Sequence, residues 1–334
     1  MARGKLTLRV LAGLTAFALA GLTACGTGGG APGASGGGGE KKAIGVSVAD
    51  QKSLFYVAAV QGMQAQAEKR GYKLVVTSAN NNSSQQVSQV NDLLTQQVGA
   101  LIFTSQDSTA AAAGVKAANK AQVPVIAVDQ RPESGQGELA TYIATDSVKA
   151  ARELCTWMFQ QMGGSGEIAI LHGVLGSTAE IQRTQGCQEA IKATPGIKVV
   201  AEETANWDET EAFKATQNIL AAHPQLKAVF GESDAMGLGA AKAAQQANRH
   251  DGMQFVGIDG FPTMFDGVKA GLTQATMAQQ PYHMGEIAVD NAISIMEGGA
   301  ALPAEQYQDT VLINKDTVDQ NDVTKFYGPN AKSS

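Results

Sequence analysis

The chain lacks the equipment of the common function classes. Lys and Arg together number 25 against 31 Asp and Glu, a net charge of -6, and no stripe of basic residues runs along any segment. The electrostatic footprint of a nucleic-acid binder is therefore missing. No activated-serine elbow, HExxH, Walker loop or helix-opening GxGxxG occurs, which removes the motif-defined hydrolases, metalloproteases and nucleotide enzymes. His172, His223, His250 and His283 are scattered and no Cys or His spacing is of zinc type, so no metal site and no cofactor are expected. Cysteine is scarce too, at three residues.

The scarce cysteines divide unevenly. Arg3, Lys5 and Arg9 precede an apolar run over 10–22 that closes in Leu22-Thr23-Ala24-Cys25. A basic region, a short apolar region and small residues before a cut make a secretory signal over 1–24, too short to span a membrane. Leu-x-Ala-Cys is similar to a bacterial lipobox, which implies lipid on Cys25 and an exported, membrane-anchored product. Residues 26–39 are Gly, Ala, Ser, Thr and Pro, a tether that would hold the folded part about 20 Å from its anchor. In an oxidising compartment Cys155 and Cys187 are expected to pair, two buried thiols being the alternative.

What is present is regular alternation. A chain of 334 residues, 44% of them hydrophobic, can bury two cores. From 44 onward strand-like and helix-like runs alternate: strands near 44–48, 73–77, 100–104, 123–128 and 141–144, with helices over 54–70, 84–97 and 108–121. The pattern restarts with a helix over 147–162 and strands near 168–171, 198–202, 228–231, 254–258 and 274–278. A last helix spans 282–296, and a strand near 310–313 precedes a polar tail. Repeated βα units with right-handed crossovers predict α/β architecture: two doubly wound parallel-sheet lobes. No long linker parts them, so a multi-crossing hinge is expected. The first lobe should take 41–144 and 280–307, the second 145–279 and 308–325, with 326–334 as tail.

The run Val123-Pro124-Val125-Ile126-Ala127-Val128 ends abruptly in Asp129, Gln130 and Arg131. In open α/β sheets the carboxyl ends of strands form the ligand edge. The same edge should collect Asp50, Lys52 and Ser53, then Thr104 and Ser105, then Arg183, Trp207, Asp208, Ser233, Asp234, Asp259 and Gln279, with Phe55 and Tyr56 nearby. Carboxylates that accept from paired hydroxyls, cations that donate to them and aromatic faces for C–H surfaces suit a polyhydroxylated ligand. Paired carboxylates also keep a glycosidase reading open.

The stretches Phe55-Tyr56, Glu68-Lys69-Arg70-Gly71-Tyr72, Pro124 to Asp129, Leu220 to Pro224, Ala228-Val229-Phe230, Gly237 to Ala240 and Val256 to Gly260 resemble the type I periplasmic sugar-binding proteins of ABC importers, the ribose-binding group. The resemblance spans about 44–313. It implies that Phe55 and Tyr56 cover a sugar ring, that Asp129 binds adjacent hydroxyls, and that Arg183, Trp207, Asp259 and the hinge Gln279 face them. The chain departs from ribose binders at Asp50, Lys52, Thr104, Gln130, Ser233 and Ile258, with Arg131 beside Gln130, so a related monosaccharide or a polyol is expected. The implied partner is a membrane ABC permease served by a monomer. A sensor docking on a chemotaxis or kinase partner is the other reading.

Overall fold

A computed structural model describes residues 43–331 apart from 111 and 134. The signal, Cys25 and the tether lie outside the described residues. The first half runs β1 (Ile44–Val48), α1 (Leu54–Arg70), β2 (Leu74–Ser78), α2 (Ser83–Thr95), β3 (Ala100–Phe103), α3 (Ala112–Lys120), β4 (Val125–Val128) and β5 (Thr141–Thr145). The second runs α4 (Ser147–Gln161), β6 (Ser165–His172), α5 (Thr178–Ala193), β7 (Gly196–Thr204), α6 (Glu209–Ala222), β8 (Leu226–Gly231), α7 (Asp234–Gln246), β9 (Gln254–Asp259), α8 (Pro262–Ala270) and β10 (Ala275–Ala278). Then follow α9 (Pro281–Met296), β11 (Glu305–Gln308), β12 (Val311–Asn314) and α10 (Thr324–Tyr327).

Two six-stranded sheets result, ordered β11-β5-β4-β3-β1-β2 and β12-β10-β9-β8-β6-β7. Every pair is parallel except β12 on β10. Helices cover both faces: α1 and α9 oppose α2 and α3 across the first sheet, and α4 and α5 oppose α6 and α7 across the second. That cover explains why β1, β3 and β4 are buried along their whole length, and why β3 and β4 read as unbroken apolar runs.

The chain crosses between sheets at 145–147, 278–281 and 308–311. Helix α9 returns to the first lobe because its backbone can touch that of α1. A Cβ on Gly62 would sit 2.0 Å from the Tyr282 carbonyl oxygen, and one on Gly285 2.1 Å from that of Ala59. In the second lobe a disulfide joins Cys155 of α4 to Cys187 of α5, with Cα atoms 5.4 Å apart.

Three expectations need correction. Helix α3 begins at Ala112 and not near 108, because the Asp107 carboxylate accepts from the Thr109 and Ala110 amides and holds them in a turn. Strand β11, a polar Glu-Gln-Tyr-Gln edge strand without an apolar run, adds a strand that the alternating pattern does not contain. The expected polar tail is partly core: Phe326 and Tyr327 are buried with Phe265, Ile313 and Ala58, so this segment bridges both lobes.

Candidate functional site

A cleft of about 690 Å³ opens between the carboxyl ends of the two sheets. Asp50, Lys52, Phe55, Tyr56, Asp129 and Gln130 line it from the first lobe, Arg183, Trp207, Ser233 and Asp259 from the second, and Gln279 from the hinge. On the first wall Asp129 sits in the left-handed region, at φ 62°, which Asp tolerates better than most side chains. Its amide donates to Ile143 O at 2.9 Å and its carbonyl accepts from Tyr142 Oη at 2.5 Å. Backbone so held, the carboxylate accepts from Tyr56 Oη at 3.0 Å, and Gln130 Nε2 donates to that same hydroxyl at 3.4 Å. Burial raises the Asp129 carboxyl, opposed by the Arg183 charge and the Tyr56 hydroxyl.

Arg183 anchors the facing wall. It is 4% exposed, donates to Glu232 O at 2.5 Å, lies 3.6 Å from Asp259 Oδ1, and holds its guanidinium 5.5 Å from the Trp207 ring centroid. Its Nε has no partner in the protein. The Trp207 indole lies against Gly173, where a Cβ would meet the ring at 2.0 Å, so only glycine fits. Asp259 accepts from Gln279 Nε2 at 2.8 Å, while Gln279 Oε1 accepts from Thr145 Oγ1 at 2.7 Å. Gln279 thus ties the end of β5 to the end of β9 across the hinge. Beneath it, Tyr327 Oη donates to Asp259 O at 2.9 Å. Desolvation pushes the carboxyls of Asp259 and neighbouring Asp234 upward; Asp234 also feels the Asp259 charge, while Arg183 opposes the rise at Asp259.

Two expected ligand residues do not line the cleft. Arg131 turns outward, pairs with Glu305 Oε1 at 2.6 Å and stacks 4.4 Å from the Tyr142 ring centroid. Thr104 is buried below the floor, its carbonyl accepting from Gln86 Nε2 at 2.8 Å. Ser233 lines the cleft but also caps α7, its hydroxyl accepting from Met236 N at 3.4 Å. Asp50 likewise holds its own turn, accepting from the Lys52 and Ser53 amides at 2.7 and 2.8 Å. Sequence reasoning missed Asn81, Gln106, Asn206, Phe261 and Thr263, which also line the cleft. All follow the carboxyl ends of strands, four in loops and Thr263 in the first turn of α8, so extending the strand-end rule by a few residues finds them.

The lobes also touch at the mouth. Ser108 Oγ donates to Gly176 O at 2.8 Å, and Thr178 Oγ1 donates to Arg131 O at 3.3 Å. Opening the cleft would break both bonds. Removing both with Ser108→Ala and Thr178→Val should weaken ligand binding by about 5- to 100-fold, at roughly 0.5 to 1.5 kcal/mol per neutral bond. Stopped-flow should show faster ligand release, and an unchanged release rate would discount the latch.

Two lobes with convergent polar strand ends and a three-crossing hinge are the layout of a hinged solute receptor. Residues 44–300 match the periplasmic binding protein domain family. The chain is 34% identical to the ribose import binding protein RbsB of Bacillus subtilis, over 78% of this chain and 84% of that one. It is 36% identical to the xylitol-binding protein of Mycolicibacterium smegmatis, over 70% and 66%. A solute-binding protein of Actinobacillus succinogenes with bound D-allose superposes at a TM-score of 0.79 with 28% identity, over 84% of this chain and all of that one. The chain belongs to the periplasmic binding protein family, as a type I sugar-binding member; it is a binding protein and not an enzyme.

Proposed function

We propose that the protein captures a monosaccharide or similar polyol in the interlobe cleft and delivers it to an ABC permease, while lipid on Cys25 keeps it at the outer face of the cell membrane. The observation that carries this reading is the pairing of Asp129 on one wall with Arg183 and Asp259 on the other, flanked by Phe55, Tyr56 and Trp207. Carboxylates and a guanidinium fork can bracket adjacent hydroxyls from both sides, and the rings cover the apolar face. Relatives named for ribose and xylitol support both a cyclic sugar and an open polyol as candidates. The lipobox motif and the Gly-rich tether support the anchor.

A thermal-shift screen over pentoses, hexoses and polyols tests the ligand class. A ligand at a hundred times its Kd should stabilise the protein by about 2.7 kcal/mol, or roughly 5 °C or more for a chain of this size. Silence across the whole panel would sink the reading. In the same work Cys25→Ser should move the protein out of the membrane fraction.

A further inference from the structure

Behind the Arg183 wall, outside the cleft lining, three elements of the second lobe converge on one point. His172 ends β6, Glu180 lies in the first turn of α5, and Glu232 follows β8. All three are buried, Glu232 completely. His172 Nδ1 is 3.2 Å from Glu232 Oε1 and 3.7 Å from Glu180 Oε1, and one ligand atom from each residue lies within 4.8 Å of the others. Thr184 Oγ1 completes the group, 3.1 Å from Nδ1 and 2.6 Å from Glu232 Oε1.

The remaining atoms of these side chains are already engaged, and that fixes where the converging atoms point. Glu232 Oε2 accepts from Gly173 N at 2.9 Å, and Glu180 Oε2 accepts from Gly176 N at 3.0 Å. His172 Nε2 faces Glu202 Oε2 at 3.3 Å. In the tautomer whose Nε2–H is donated to Glu202, Nδ1 would offer its lone pair to a cation held between the two carboxylates. A ring nitrogen anchored by an outer carboxylate is how metal-binding histidines are oriented.

Charge balance points the same way. Among the described residues, His172 is the only basic side chain within ion-pair distance of Glu180 or Glu232. Two buried carboxylates therefore share at most one positive charge, whereas buried charges are ordinarily paired or bound to metal. Ligands about 2.0 to 2.1 Å from a tetrahedral cation stand about 3.3 to 3.4 Å apart. The two separations from His172, 3.2 and 3.7 Å, bracket that spacing, and all three ligand atoms lie within 4.8 Å of one another.

We propose that His172, Glu180 and Glu232 bind one divalent transition-metal cation. One imidazole nitrogen and two carboxylate oxygens, with Thr184 or water at a fourth position, match zinc. The cation would rivet β6, α5 and the β8–α7 loop together behind Arg183, whose own anchor is the Glu232 carbonyl.

The test uses the mature chain after chelator treatment, titrated with Zn²⁺ by calorimetry, with bound metal counted by mass spectrometry. One zinc per chain and a higher melting temperature are expected, with Ca²⁺ and Mg²⁺ giving neither. His172→Gln and the near-isosteric Glu180→Gln should lose that equivalent while keeping wild-type circular dichroism. Glu202→Gln, which touches the site only through the ring, should weaken binding by about 10- to 100-fold. Failure to take up one equivalent overturns the proposal, as does an equivalent that survives in both ligand variants. The readout is metal, so either result leaves the sugar-binding reading untouched.

Discussion

Replacing Arg183 by methionine should weaken sugar binding by at least about a hundredfold. The side chain is buried, contacts the Glu232 carbonyl and Asp259, and stacks on Trp207. A guanidinium that makes two charge-assisted hydrogen bonds to the ligand contributes about 1.5 to 3 kcal/mol through each, and each 1.4 kcal/mol is a factor of ten. The variant should also lose stability, because Asp259, whose carboxyl is already pushed upward by burial, loses its nearest cation. Arg183 Nε, without a protein partner, is the donor the ligand would satisfy. Lysine restores the charge but not the planar fork, so Arg183→Lys should recover only part of the affinity. Calorimetry with the sugar found by thermal shift checks both variants. A methionine variant within tenfold of wild type would remove Arg183 from the site.

The double variant Cys155→Ala with Cys187→Ala should lose about 3 to 4 kcal/mol of stability. Its basis is the sequence separation of 32 residues, which sets the loop-closure entropy that the bond removes from the unfolded chain. Both sulfurs lie in the apolar cluster with Leu154, Met158 and Ile168, so the substitutions also empty well-packed space. For a chain of this size the melting temperature should fall by roughly 10 °C. Calorimetric melting of the oxidised wild type and the double variant decides it; a difference of about 2 °C or less would leave the bond no structural weight. Cys187 lies one helical turn beyond Arg183 on α5. Affinity should therefore drop as well, though less than when Arg183 itself is replaced.

The proposed lipid anchor rests on a segment of a different kind from the proposed sugar cleft. The cleft joins residues far apart in the chain, whereas the lipobox and tether are contiguous motifs. An absence of sugar-induced stabilisation would contradict only the first. Loss of membrane association would bear only on the second.

The alternation of buried strands and amphipathic helices was readable because burial on both faces of a parallel sheet is a local property, written in short apolar runs such as Val125-Ile126-Ala127-Val128. Strand ends then marked where polar residues must surface, which is why Asp129, Arg183, Trp207, Asp259 and Gln279 could be placed along one edge from residue types alone. Their partners could not. Arg131 looked like a ligand residue because it follows Asp129, but the left-handed backbone at Asp129 breaks the strand's alternation, and Glu305, 174 residues away, draws the guanidinium outward. Gln130, the neighbour that lacks the charge, is the one that lines the cleft. The same limit hid β11, which pairs as a strand without apolar side chains, and the burial of Phe326 and Tyr327 between the lobes. It also hid His172, Glu180 and Glu232, which no motif spacing links and which meet only because the end of β6, the first turn of α5 and the residue after β8 converge at one edge of a sheet. Periodicity reports what each segment must bury. Only the packed chain decides which distant groups meet, because those pairings depend on how the lobes and their helices settle against one another.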